Sequence, residues 1–120
     1  YYDKEEFTTR SMRFFMAEII REKILLNYKK EIPYSVEVAV ESYKEEKNLI
    51  RIAATIFVSR ESQKAIILGH QGRSIKKTAS QARIEMEEFI GSKVFLEVTV
   101  KVKKDWRDNE TMLRQFGYDQ

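Results

Sequence analysis

The sequence predicts an α+β domain in which helices cover one face of a single three-stranded mixed sheet. Its 120 residues are 42% hydrophobic and 34% charged, which suits one globular domain with one core. The predicted strands alternate apolar and polar residues, so each has one buried and one solvent-facing side. The predicted helices each carry an apolar stripe, and the elements follow the order α-β-β-α-α-β-α.

The first predicted element is a long helix that Thr8 or Thr9 can cap. Pro33, the sole proline of the chain, ends the helical region because it lacks a backbone donor and disfavours helical geometry at the preceding residue. The period then changes to two, which predicts a first strand over residues 34–41. The apolar residues of the helix recur at steps of three and four: Met12, Phe15, Met16, Ile19, Ile20 and Ile24.

A hairpin and two helices follow. The polar tract over residues 42–48 predicts a turn, and residues 50–59 predict a second strand. Ser62 can cap a short helix that Gly69 ends, because a left-handed terminal residue costs glycine nothing. A second helix starts just beyond Gly72. Its apolar stripe is predicted to face the core: Ile75, Ala79, Ala82, Met86 and Phe89.

Gly91 closes that helix, residues 94–103 alternate as a third strand, and Asp108 can cap a last short helix. Strand direction is predicted from this order. Two antiparallel helices would return the chain to the end of the sheet that it left. The third strand is therefore expected to be antiparallel to the second and parallel to the first, and the central strand stays unassigned.

The composition argues against an enzyme, a metal centre and a membrane span. There is no cysteine, and His70 is the only histidine, so no thiolate nucleophile, catalytic metal set or cofactor is expected. The longest uncharged stretches fall far short of the roughly 20 apolar residues that cross a bilayer. Since the chain begins with Tyr1 and shows no leader, we expect a piece of a longer protein.

The positive charge of the chain is concentrated in one segment. The net charge is only +3, but residues 60–83 hold six basic residues and a single acid, Glu61, so the rest of the chain is net negative. Such clustering is typical of a polyanion site, although a solvated charged helix face gives the same pattern. The basic residues near the loop are candidate phosphate contacts: Arg73, Lys76, Lys77, Lys64 and Arg83.

The chemistry concentrates in the loop between the two helices, which reads Gly69, His70, Gln71 and Gly72. A helix amino terminus presents free N–H groups and a positive dipole end, and flanking glycines let a phosphodiester come close. His70 and Gln71 are neutral near pH 7, so phosphate attraction must depend on backbone groups and nearby cations. The apolar residues beside the loop could receive bases: Ile66, Ile67, Leu68 and Ile75.

A Gly-x-x-Gly loop between two helices of a β-α-α-β unit resembles the KH domain, in which this loop clamps the backbone of RNA. The preceding α-β looks like the type II arrangement. Further motifs are similar to the carboxy-terminal domain of the Era family of GTPases. They are residues 18–23 (EIIREK), 32–36 (IPYSV), 62–64 (SQK), 69–76 (GHQGRSIK), 100–106 (VKVKKDW) and 113–118 (LRQFGY).

This resemblance implies that residues 1–120 form one type II KH domain without catalytic residues, preceded in the full protein by a GTPase domain in cis. It implies a cytoplasmic factor of small-ribosomal-subunit assembly that binds single-stranded RNA, the 3′ end of 16S ribosomal RNA. The alternative is a KH fold used for docking to the GTPase domain, a ribosomal protein or the inner membrane surface, with weak RNA binding. Trp106 is interpreted as a packing residue rather than a base-stacking one, and residues 101–104 as a solvated strand edge or a second phosphate contact.

Overall fold

The structure, a computed structural model, describes residues 4–104, with side chains from Thr8 onward. Three helices and a three-stranded mixed sheet appear in the predicted order, which confirms the α+β class. The predicted last helix at Asp108 and the predicted packing role of Trp106 lie outside the described residues. The elements are α1 (Lys4–Asn27), β1 (Glu37–Glu46), β2 (Leu49–Val58), α2 (Glu61–Leu68), α3 (Arg73–Ile90) and β3 (Val94–Val102).

Helix α1 begins earlier than predicted. Thr8 and Thr9 lie inside the helix and not at its cap, because the helix already starts at Lys4. The residues between Lys4 and Thr8 include two glutamates, which are good helix formers. After α1, Pro33 sits in a short 3-10 turn at Ile32–Tyr34, where its fixed φ is tolerated.

Strand β1 is shifted from its predicted position. Tyr34 belongs to the 3-10 turn and is 74% exposed, so its predicted place in the first strand is wrong. The predicted turn over residues 42–48 is also wrong, because β1 continues to Glu46 and only two residues connect it to β2. The register shifts between Val40 and Ser42, which marks a β-bulge. Polar side chains are tolerated beyond it because that part of β1 is largely exposed.

The predicted direction of β3 is wrong. Strand β2 is central, pairs antiparallel with β1 and pairs parallel with β3. The reason lies in the unequal lengths of the two connecting helices, since α2 has 8 residues and α3 has 18. At 1.5 Å per residue, α2 covers about 12 Å and α3 about 27 Å, so α3 carries the chain back to the end where β2 began.

The core lies between the sheet and the helices, as the alternating strands and helical stripes predict. It includes Ile52 and Ile56 from β2, Ile20 from α1 and Met86 from α3, each at most 1% exposed. The ends of the two helical stripes differ from the prediction, because Phe15 is 44% and Phe89 is 56% exposed. Both rings lie largely outside the core and contact each other, with centroids 5.7 Å apart.

Three hydrogen bonds from two residues tie the carboxyl end of α1 to the helices on either side of the glycine loop. The Tyr28 hydroxyl donates to the Ile67 carbonyl of α2 over 2.5 Å, and burial raises the pKa of this phenol. The Asn27 side chain donates to the hydroxyl of Thr78, at 3.2 Å, and to the amide oxygen of Gln81 on α3, at 2.6 Å. The relative position of α2 and α3 is therefore fixed from a third helix.

The start of β3 is held by a side chain of α3. Glu87 Oε2 accepts the N–H of Val94 at 2.9 Å, and Glu87 Oε1 pairs with Arg83 at 2.9 Å. The backbone donor, helped by Arg83, lowers the pKa of Glu87 below its usual 4.5. A lowered folded-state pKa contributes stability above the ordinary pKa, and this contribution is lost as the pH falls through the lowered value.

We therefore expect Glu87→Gln to lower the free energy of unfolding at pH 7. The difference between Glu87→Gln and the unmodified chain should shrink as the pH falls below 4.5. Urea denaturation at pH 7 and near pH 3 measures both. Glu88→Gln is the matched control, because Glu88 is exposed and has no ion pair among the described residues. Equal pH profiles for Glu87→Gln and the unmodified chain would contradict this role.

Candidate nucleic-acid interface

Helix α2 is capped by a side chain that the prediction missed. Ser62 lies within the first turn of α2 and is not its cap, since the helix begins at Glu61. Instead, the Gln63 amide oxygen accepts the N–H groups of Ser59 and Arg60 at 2.9 and 3.1 Å. This back-folded glutamine sets the direction in which α2 leaves the sheet.

Gly69 ends α2 in a conformation that only glycine adopts readily. Its φ is 74° and its ψ is 179°, and its N–H donates to the Ala65 carbonyl at 2.9 Å. A Cβ built on Gly69 would lie 2.2 Å from Ser74 Oγ and 2.6 Å from Ser74 Cβ. The first glycine of the loop is therefore required by close packing against the first turn of α3.

The second glycine has a different reason. Gln71 and Gly72 both have left-handed backbones, with φ of 55° and 74°, and together they turn the chain into α3. A Cβ on Gly72 would meet nothing within 4 Å, so the space beside this residue is open. The Gly72 N–H donates to the Gly69 carbonyl at 3.1 Å and the Arg73 N–H to the His70 carbonyl. No side chain caps α3, so backbone donors further into its first turn remain available to an anion.

The predicted loop residues and three predicted phosphate contacts lie on the loop and on the first turns of α3 that follow this open space. His70 and Gln71 are exposed, as are Arg73, Lys76 and Lys77 on the first turns of α3. Arg73 Nη2 donates to the Gln71 amide oxygen at 3.3 Å, which leaves its charge unneutralised. None of the three cations has a carboxylate partner among residues 8–104, and neither has the partly exposed Lys64 of α2.

Two of the predicted contact residues are placed elsewhere. Arg83 lies ten residues beyond Arg73, about 15 Å along α3, and is paired with Glu87. Ile67 is fully buried in the core, because the side of α2 that it occupies packs inward, so it cannot receive a base. Ile66 is 52% exposed, and the other two predicted groove residues, Leu68 and Ile75, are partly exposed and pack at the edge of the core.

The contacts that position the loop were not predicted. Ser74 limits the residue at position 69, and Tyr28 anchors α2 from 39 residues away in the sequence. Neither residue stands out in the sequence, since each role depends on a contact made only in the folded chain. In the part of the chain that the structure describes, no cluster of three potential metal ligands occurs and no helix is long and apolar enough to cross a membrane. The arrangement can bind an anion at the α3 amino terminus.

Comparison with known proteins identifies the class of domain. The family model of the KH domain matches residues 31–107, and the chain belongs to this family. The match includes all of the β-α-α-β unit that holds the glycine loop.

The chain is similar to proteins named GTPase Era, which confirms the resemblance predicted from the motifs. It is 51% identical to GTPase Era of Syntrophus aciditrophicus over its whole length, but spans only 40% of that relative. Among solved structures, it is 38% identical to Aquifex aeolicus Era bound to GDP and AlF4−, with a TM-score of 0.84. It is also 38% identical, with a TM-score of 0.85, to Era in complex with MgGDPNP and nucleotides 1506–1542 of 16S ribosomal RNA. Each superposition covers 91% of this chain and 37% of the other.

Proposed function

We propose that this chain is the RNA-binding domain of an Era-like GTPase and binds the 3′ end of small-subunit ribosomal RNA. The observation that carries the proposal is the open space beside Gly72, bordered by the uncapped start of α3 and by cations without carboxylate partners. Support comes from the similar Era structure that was solved with nucleotides 1506–1542 of 16S ribosomal RNA.

In the proposed complex, the loop holds the sugar–phosphate backbone while bases lie along the neighbouring apolar surface. The N–H groups at the start of α3 donate to a phosphate, and Arg73, Lys76 and Lys77 add charge-assisted contacts. Ile66 and Ile75 offer the apolar surface nearest to the loop. The phosphate contacts fix the position of the strand, whereas discrimination between sequences must come from the bases.

The wider role is part of the same proposal. Because the chain spans about 40% of its relatives named GTPase Era, we propose that a GTPase domain in cis carries the enzymatic activity. The small ribosomal subunit is then the assembly to which the domain brings that GTPase, and the cytoplasm is the expected compartment.

A second candidate function is docking, and one feature favours it. Phe14 is 60% exposed beside Phe15, and the two rings form an aromatic cluster with Phe89 on the outer side of α1 and α3. Exposed apolar clusters of this kind often mark contact surfaces. The GTPase domain or a membrane surface could cover the cluster, which contains no residue of the proposed RNA site. Phe14→Ser should then weaken docking and leave RNA affinity unchanged, as measured by titration.

The proposal makes a specific prediction for Gly72. We expect Gly72→Ala to weaken RNA binding about tenfold, a loss of about 1.4 kcal/mol, because the new methyl group occupies the space that a phosphate approaches. Gly91→Ala is the matched control, since Gly91 is also left-handed, with φ of 78°, and also faces open space. Both changes should cost a similar stability of about 1–2 kcal/mol. Fluorescence anisotropy measures the RNA affinities of the two variants. Equal affinities would show that the loop is not part of the binding site.

Titration with labelled RNA at several salt concentrations tests the proposed function as a whole. The three cations at the start of α3 predict a log–log salt slope of roughly −2 to −3, since each neutralised phosphate of a single strand contributes about −0.7. The segment at the 3′ end of 16S ribosomal RNA should bind more tightly than a scrambled strand. A flat salt response together with no preference for this segment would contradict RNA binding and favour the docking function.

A further inference from the structure

A second basic surface lies outside the glycine loop and the predicted phosphate contacts. It is a cleft between the turn that follows α1 and the first turn of α2. One acid, Glu31, also lines it, together with Ile32. We call it the basic cleft, and it is lined by Lys29, Lys30, Arg60, Ser62, Gln63 and Ile66.

The charge of the basic cleft is not compensated by the surrounding protein. Lys29, Lys30 and Arg60 are all exposed, and none has a carboxylate partner among the described side chains. In contrast, Lys23 pairs with Glu85 at 2.6 Å. With Glu31 as the one acid in its lining, the cleft has a net charge of +2, which favours an anionic ligand.

Lys30 has an unusual backbone for its residue type. Its φ is 61°, in the left-handed region that glycine and asparagine favour and that costs other residues roughly 1–2 kcal/mol. Packing does not explain a lysine here, because its side chain is exposed and has no described partner. The position therefore holds a cation at a cost in stability, as is common where a side chain serves binding.

The basic cleft lies within reach of a strand held by the loop. Arg60 directly precedes α2 and Gly69 directly follows it, so about 12 Å of helix separates them. Ile66 connects the two sites, because it lines the cleft and is also the most exposed of the apolar residues beside the loop. A single strand of a few nucleotides can span this distance along α2.

We propose that the basic cleft binds phosphates of the same RNA strand that the glycine loop clamps, and so extends the binding site along α2. This inference rests on the proposed function. Lys29, Lys30 and Arg60 supply the cationic donors, while the hydroxyl of Ser62 offers a neutral hydrogen bond. The extended site should favour longer strands without adding sequence preference.

The test compares two RNA lengths and two double variants. A strand of about four nucleotides occupies only the loop clamp, whereas a strand of about ten, extended on both sides, also reaches the cleft. Lys29→Ala with Lys30→Gly removes two charges from the cleft and relieves the strained backbone. Lys44→Ala with Lys47→Ala removes the same charge near the end of β1 and in the turn that follows it, close to the opposite end of β2 and about 30 Å away.

We expect the cleft variant, Lys29→Ala with Lys30→Gly, to bind the longer strand about three- to tenfold more weakly. The magnitude of its log–log salt slope should fall by about 1.4, because two phosphate contacts are lost. Binding of the short strand should not change, and thermal stability should be unchanged or raised, because glycine suits the backbone at position 30. Equal losses of affinity for both strands, or an equal loss in the control variant, would show a general effect of the removed charge and overturn the proposal. An unchanged affinity of the cleft variant for the longer strand would also overturn it.

Failure of the proposed function itself gives a different result. In that case the unmodified chain binds neither strand with a measurable salt dependence. If instead Gly72→Ala weakens binding of both strands but the cleft variant leaves the longer strand unaffected, only the extended site is wrong.

Discussion

Replacing His70 and Gln71 together with aspartate is expected to abolish RNA binding and to leave the fold intact. The two carboxylates would lie at the open space beside the α3 amino terminus, where a phosphate is expected. Like charges about 4 Å apart repel by ~1 kcal/mol in bulk water and by several-fold more where water is partly excluded. The Gln71→Asp carboxylate would also neutralise Arg73, which now donates to the Gln71 side chain.

Folding should tolerate these changes. Both side chains are exposed, and aspartate is among the residues that accept the left-handed backbone of Gln71. Acids near a helix start are favourable by about 0.3–1 kcal/mol. The control changes both residues to asparagine, which has the shape of aspartate without its charge. Circular dichroism melts measure the effect on stability, and RNA titrations measure the effect on binding. An unchanged RNA affinity of the aspartate variant would show that the loop does not hold phosphate.

Gly69→Ala is expected to have the largest effect on stability of any change in the loop. With φ of 74° and ψ of 179°, Gly69 lies in a region that is essentially restricted to glycine and costs other residues about 1–3 kcal/mol. The added Cβ would also approach the backbone nitrogen of Ser74 to 3.0 Å and its Cβ to 2.6 Å. Rotation of the serine hydroxyl cannot relieve either contact, so overpacking adds about 1–3 kcal/mol.

A double-mutant cycle separates these two costs. Gly69→Ala combined with Ser74→Gly removes the serine Cβ and hydroxyl but keeps the contact with the backbone nitrogen and the backbone strain. Part of the lost stability should therefore return once the effect of Ser74→Gly alone is subtracted. Gly72→Ala, which meets nothing within 4 Å, should cost less than Gly69→Ala. Urea denaturation measures Gly69→Ala, Ser74→Gly, the double variant and Gly72→Ala, and equal losses at the two glycines would contradict the separate roles assigned to them.

The sequence predicted best what is local in the chain. The position of the glycine loop, the start of α3 and the inward residues of β3 are correct, because helix-ending glycines and periodicity depend on neighbouring residues. The predicted caps at Thr8 or Thr9 and at Ser62 are wrong, because the helices begin earlier than these residues. The direction of β3 was wrong, since it depends on how far two unequal helices carry the chain. Periodicity could not show which side of an eight-residue helix packs inward, so Ile67 was misplaced. The supporting contacts of Tyr28 and Ser74 arise only in the folded chain.

The most direct test of the RNA clamp is amide chemical-shift mapping of the chain during titration with the 3′-end segment of 16S ribosomal RNA. The largest shifts are expected over residues 69–77, because they form the loop and the first turns of α3 at the proposed phosphate site. Shifts confined to the aromatic cluster of Phe14, Phe15 and Phe89, with residues 69–77 unchanged, would contradict the clamp.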